Sequence, residues 1–172
     1  MAHDLETAVF GGGCFWCTEA VFQNLKGVAS VTSGYAGGDM DDPDYYKVAY
    51  HGNTGHAEVI KIEFDPEVIR YSQLLEVFFA AHDATMLNQQ GADIGPQYRS
   101  IILYTSERQK AIAEKYIKPP MVTELKPLDR FYTAEEYHQN YYKNNSGKPY
   151  CQIVINPKLD KIRKKFSLLL KD

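Results

Sequence analysis

The sequence predicts an α/β (α+β) fold, a two-layer sandwich in which helices pack on one sheet. Three observations carry this. Short apolar runs alternate with segments of helical period along most of the chain. The 172 residues suit a single domain spanning 1–172, with 44% hydrophobic and 24% charged residues, a composition that builds a buried core rather than a disordered chain. The first six elements run β-α-β-β-α-β, the order of a split βαβ, ferredoxin-like core, and the remaining elements form C-terminal extensions.

The first strand is the apolar piece Ala8-Val9-Phe10, which ends in Gly11-Gly12-Gly13. A helix follows over Cys14 to Lys26, with Ala20, Val21 and Leu25 on one side and Gly27 as its stop. Val28 to Tyr35 reads as a strand and Gly37 to Asp44 as a loop. From His56 to Phe64 the residues alternate, so Glu58 shares a face with Ile60, Ile62 and Phe64. Ser72 to His82 carries a helical stripe of Leu74, Leu75, Phe78 and Phe79. A glycine-rich loop through Gly95 leads to a strand over Arg99 to Tyr104. Ser106 and Gln109 have capping-box spacing for the next helix, which Pro119-Pro120 ends. Val122 to Leu128 predicts an edge strand. Thr133 and Glu136 predict a further capped helix with Tyr137 and Tyr141 one turn apart. Cys151 to Ile155 reads as a strand, and Asn156-Pro157 caps a last helix with Leu159, Ile162, Phe166 and Leu169 as its buried stripe.

The net charge of −3 is spread along the chain and gives no reason to expect a nucleic-acid or membrane partner. No apolar run approaches the roughly 18 residues of a membrane span, and no signal peptide is visible, so a cytoplasmic protein is expected. Gly11 to Gly13 extends to neither a dinucleotide fingerprint nor a Walker A loop. Asp39, Asp41, Asp42 and Asp44 lack the glycine and terminal glutamate of an EF-hand. The basic cluster around Lys158 to Lys165 reads as the solvated face of an amphipathic helix.

The three cysteines are too few for a disulfide scaffold and too many to pair completely. Cys14 sits where a strand, a glycine turn and a helix start meet. There, unpaired N–H groups and the helix dipole are expected to stabilise a thiolate. Cys17, one turn on, completes a Cys-x-x-Cys redox spacing. A zinc site is not expected, because no second pair of ligands stands at suitable spacing. Phe15 and Trp16, between the two cysteines, could be core residues or wall a small apolar pocket. Glu58 is a carboxyl on an otherwise aliphatic face. Desolvation there should raise its pKa and make it a proton donor near neutrality, unless a cation such as Arg99 pairs with it. Tyrosines are in excess, thirteen against eight phenylalanines. Several, including Tyr45, Tyr46, Tyr98, Tyr137, Tyr141 and Tyr142, fall near these positions, where a phenol can donate a hydrogen bond without charge.

Gly13-Cys14-Phe15-Trp16 resembles the active-site signature of the A-type peptide methionine sulfoxide reductases. Thr54-Gly55-His56-Ala57-Glu58 resembles that family's acidic strand motif. Gly91 to Ser100, with Asp93 and Gln97-Tyr98-Arg99-Ser100, resembles its aspartate and tyrosine loop, and Tyr137-His138-Gln139 also fits. The match runs in order from about Ala8 to Cys151. The resemblance implies reduction of methionine S-sulfoxide, free or in oxidised proteins. In that scheme Cys14 attacks the sulfur, Glu58 supplies the proton, Tyr46 and Tyr98 hold the oxygen, and Phe15 and Trp16 receive the methyl group. Asp93 orders the site. No metal, flavin or nicotinamide cofactor is implied. The Cys14 sulfenic acid would pass to a disulfide that thioredoxin, or another dithiol, reopens. Many members have glycine at the place of Cys17 and a glycine-rich tail with two recycling cysteines. Here Cys151 is the first choice for recycling, reached through a flexible Asn144–Pro149 segment, and Cys17 the second. The resemblance leads us to expect a monomer. A general thiol–disulfide oxidoreductase working through Cys14 and Cys17 is the alternative, and it leaves the acid and tyrosine blocks unexplained.

Overall fold

The computed structural model describes residues 4–51 and 54–171. Its centre is a six-stranded sheet whose strands run, from one edge to the other, Glu124–Pro127, Ile101–Tyr104, Glu6–Gly11, Ala57–Phe64, Val28–Ala36 and Phe131–Thr133. The four inner strands are β1 (Glu6–Gly11), β2 (Val28–Ala36), β3 (Ala57–Phe64) and β6 (Ile101–Tyr104). They pair antiparallel throughout, with β1 between β3 and β6, which is the split βαβ arrangement expected. Helices α1 (Phe15–Gln23) and α2 (Tyr71–Ala81) supply the two crossovers. β4 (Gln89–Gln90) and β5 (Asp93–Ile94) form a small separate hairpin inside the glycine-rich loop.

Strand parity decides which side chains meet the helices. Phe10, Ile60, Ile62, Phe64 and Ile102 point to the side where Val21, Phe22, Leu74, Leu75 and Phe78 complete the main core. Val9, Ala57, Val59, Ile101 and Leu103 form a smaller cluster. The alternation of β3 is therefore real, and Glu58 stands on the helix side, only 2% exposed.

α3 (Glu107–Glu114) is capped as predicted: Ser106 Oγ accepts from Gln109 N, while Gln109 Oε1 accepts from Thr105 N. The expected edge strand is β7 (Glu124–Pro127), parallel to β6. β8 (Phe131–Thr133) closes the other edge against β2. Among the described residues, no helix is long and apolar enough to cross a membrane.

Three expectations in the last third of the chain are corrected. Thr133 ends β8 and does not cap a helix; a 3₁₀ turn over Glu136–His138 is separated from α4 (Tyr141–Asn145) by Asn140 in the left-handed region, φ 54°. Gln139 takes part in the break, because its side chain is spent on Ser33 and Ala134 backbone groups. Cys151–Ile155 is a π-helical segment and not a strand. Buried Cys151, Ile155, Leu159 and Ile162 lie at helical spacing, while Gln152 and Ile153 face outward. That segment runs directly into α5 (Asn156–Lys165), so Asn156 caps nothing and its Oδ1 accepts from the Tyr142 hydroxyl instead.

Candidate active site

The site is assembled where β1 hands over to α1. Gly12 lies against the ring of His82, and a Cβ there would come within 3.0 Å of it. Gly13 has φ 92°, a conformation that favours glycine. These two residues turn the chain so that Cys14 becomes the N-cap of α1. His82 is fixed between Phe78 O at 2.6 Å and Ser100 Oγ at 2.7 Å, and Ser100 meets Thr123 at 2.8 Å. Burial lowers the His82 pKa to about 4, so the ring supporting Gly12 is neutral at pH 7.

Glu58 reaches the start of α1 from β3. Its Oε1 accepts from Phe15 N at 3.1 Å, which sets the carboxyl beside Cys14, close enough to act on the thiol electrostatically. Burial raises the Glu58 pKa from 4.5 to about 8; Asp93 pushes the same way, and the Phe15 N–H and Cys14 oppose it. Arg99 does not neutralise it, being paired with Glu124 at 3.1 Å. The expected thiolate at Cys14 is corrected. Its pKa is raised well above the ordinary thiol value, first by burial, then by Glu58 and Cys17, against a smaller lowering by the Trp16 N–H. The first free amide of the helix N-terminus thus serves the Glu58 carboxyl and not the sulfur.

Two tyrosines feel both groups. Burial raises Tyr45 to about 12, with Glu58 and Cys14 adding to it. Burial, Glu58, Tyr45 and Cys14 likewise raise Tyr98. Tyr46, the neighbour expected in this role, is 61% exposed, with its ring 5.5 Å from that of Tyr50. Adjacent residues in a winding segment point apart, and here it is Tyr45 that turns inward.

Phe15 is wholly buried, its ring 5.7 Å from Tyr35 and 5.0 Å from His138, so it underlies the site without lining an open pocket. Trp16 is half-buried. Tyr141 stacks on it at 3.6 Å and 6°, and Trp16 Nε1 donates to His138 Nδ1 at 3.0 Å. Buried Glu19 accepts from Tyr141 N and Ser33 Oγ, which ties α4 to α1 and seats Tyr141 on the indole.

All three cysteines are free thiols. Cys14 and Cys17 line one cavity of about 580 Å³ together with Asp93 and Tyr150. Cys151 is fully buried in the main core and is not among the residues lining that cavity. The segment before it is not an extended tether: Lys148 N donates to Asn145 O, continuing the helical path from α4. Another cavity of about 520 Å³, beside Tyr71 and Ser106, contains no cysteine. The sequence singles out neither His82 nor Tyr150; Tyr45 stands in it only as one of the tyrosines near the site, and His138 only within the Tyr137-His138-Gln139 block.

Comparison with known proteins agrees with this geometry. The family model described as peptide methionine sulfoxide reductase matches residues 6–169. The peptide methionine sulfoxide reductase MsrA of Haloquadratum walsbyi is 54% identical over 169 residues, covering 94% of this chain and 97% of that protein. Among solved structures, reduced Mxr1 from Saccharomyces cerevisiae superposes with TM-score 0.76 at 32% identity, covering 86% of this chain and 90% of that one. Mxr1 in complex with Trx2 shares the fold, with TM-score 0.52 at 24% identity over 82% and 89% of the two chains. The chain therefore belongs to the peptide methionine sulfoxide reductase family and is an oxidoreductase of that kind.

Proposed function

We propose that the chain reduces methionine S-sulfoxide to methionine by oxygen transfer to Cys14. One observation carries this reading: a buried carboxyl, Glu58, accepts from Phe15 N at the start of α1, next to Cys14, where burial raises its pKa to about 8. A sulfoxide sulfur is a poor electrophile until its oxygen is protonated. Glu58 gives that oxygen its proton and takes up the proton of the Cys14 thiol as the sulfur attacks. Tyr45 and Tyr98 are neutral donors on the same side, suited to hold the oxygen; each such donor is worth about 10²–10³ in rate. The sulfoxide sulfur gains two electrons and leaves as methionine, and Cys14 loses two and becomes a sulfenic acid. Trp16, braced by His138 and Tyr141, offers an apolar surface for the methyl group, with Phe15 packed beneath.

A second thiol of the chain, Cys17 or Cys151, then condenses with the sulfenic acid, and thioredoxin reopens the disulfide. The Mxr1 complex with Trx2 supports that choice of reductant for a protein of this fold.

The test is Cys14→Ser with methionine S-sulfoxide and a dithiol. Methionine formation should vanish, and multiple turnover in the variant would overturn the scheme. The cavity shared by Cys14 and Cys17 favours one other reading, a general thiol–disulfide oxidoreductase. Insulin-disulfide reduction at a rate unaffected by Glu58→Gln would support it.

A further inference from the structure

We infer that Cys17 is the thiol that resolves the Cys14 sulfenic acid, and that Tyr150 and Asp93 form the proton relay that activates it. The inference rests on the proposed sulfenic-acid chemistry and assigns its second step.

The contacts have a direction. Tyr150 Oη donates to Asp93 Oδ2 at 3.0 Å. Its single proton is thereby committed to the carboxylate, so the phenol oxygen can only accept from its other neighbour, Cys17 Sγ, at 3.5 Å. The chain reads Cys17 S–H to Tyr150 O–H to Asp93, and Asp93 lines the cavity, where the proton can leave. Cys17 needs such help. Burial raises its pKa, and the nearby Lys158 only partly offsets this. At neutral pH it would otherwise attack as a weak neutral thiol.

The backbone permits the bond. Cys17 N donates to Cys14 O at 3.1 Å, which closes a four-residue turn. Cα atoms across such a turn lie within about 7 Å, which overlaps the roughly 4.4–6.8 Å that disulfides span. Cys151 has neither advantage: it is buried in the core and does not line the cavity that holds Cys14.

The step balances. Cys17 loses its proton through Tyr150 to Asp93, and its sulfur attacks the Cys14 sulfur. The S–O bond of the sulfenic acid breaks as the S–S bond forms, and the departing hydroxide takes a proton from Glu58 and leaves as water. Cys17 is oxidised and the Cys14 sulfur reduced, with no further reagent.

The experiment follows one equivalent of methionine S-sulfoxide without reductant. Released methionine, dimedone-trapped sulfenic acid and mass-mapped disulfide are each recorded between pH 6 and 9. In the native chain the bridge should be Cys14–Cys17, leaving Cys151 as a free thiol. In Tyr150→Phe one methionine per enzyme should still appear. The sulfenic acid should then persist, with disulfide formation about 100-fold slower at pH 7 and recovering roughly tenfold per pH unit as Cys17 ionises unaided. Packing loss alone would not produce that slope. In Cys17→Ser, which keeps Tyr150, the sulfenic acid should also persist. A native Cys14–Cys151 bridge, a Cys17→Ser chain that forms a disulfide at the native rate, or a Tyr150→Phe chain with native rate and pH profile would each overturn the inference. If Cys14 is not oxidised at all by the sulfoxide, it is the proposed function that fails, and this shows before any disulfide is measured.

Discussion

Replacing Glu58 by glutamine should move activity and stability in opposite directions. Glutamine keeps the shape and can still accept from Phe15 N, but it cannot deliver a proton. If Glu58 is the general acid, sulfoxide reduction at pH 7 falls by about 10²–10⁴. The native rate should also fall as pH rises through about 8, where Glu58 loses its proton, and the variant should lack that limb. Stability follows from the same shift. The carboxyl titrates at 4.5 unperturbed and at about 8 in the folded chain. Folding therefore takes up a proton between those values, and native stability declines from pH 4.5 to 8 and is level above. At pH 7 the 2.5-unit gap above 4.5 corresponds to about 3 kcal/mol, at about 1.4 kcal/mol per unit. Glu58→Gln should recover most of this at pH 7 and none near pH 4.5. Denaturant unfolding of both proteins at the two pH values, beside initial rates from pH 6 to 9, measures both effects. A variant equally stable at pH 7 and 4.5 relative to native, or one that keeps its rate, would refute the assignment of a neutral buried acid.

Tyr45→Phe should slow sulfoxide reduction by about 10²–10³, whereas Tyr46→Phe should leave it within twofold; equal effects in steady-state rates would put the oxygen elsewhere. His82, held neutral with a pKa lowered to about 4, contributes stability above pH 6.5 that is lost as pH falls toward 4. That loss is about 3 kcal/mol and should be absent in His82→Gln. Its ring ¹⁵N shifts should titrate near pH 4, and a titration near 6.5 would contradict the buried neutral ring.

The part of the site readable from sequence is the part set by strict periods. Glu58 could be placed on the helix-facing side of β3 because its neighbours two, four and six residues on are apolar, and a strand has no other way to arrange them. Cys14 could be placed at a helix start because three glycines precede it. Nothing periodic governs the segment that ends in the π-helical Lys47–His51, so the sequence does not show that Tyr45 and not Tyr46 turns inward. Cys151–Ile155 is ambiguous by itself, because so short and mostly apolar a run fits strand or helix. Extending the window to Leu159 and Ile162 exposes the helical spacing. The Asp93–Tyr150 contact joins residues 57 positions apart and is set by the docking of the segment between α4 and α5, which no local pattern encodes.

At the start of α1 Glu58 takes the amide that would otherwise serve the Cys14 sulfur. A cysteine at an N-cap should gain acidity if the free amides face its sulfur. Here the first amide is taken by Glu58, and burial outweighs what the Trp16 N–H returns. Two acids, a thiol and a carboxyl, thus both keep their protons near neutral pH. In that resting state the sulfur is a weak nucleophile toward passing oxidants, because reactivity follows thiolate character. On the proposed mechanism, a bound sulfoxide alters this by offering an oxygen that accepts the Glu58 proton, after which the carboxylate can draw the proton from sulfur. The nucleophile is then created by the substrate it is to attack. An N-terminus devoted wholly to the thiolate would give a more acidic Cys14 but no acid for the oxygen, and the poor electrophile would remain the obstacle.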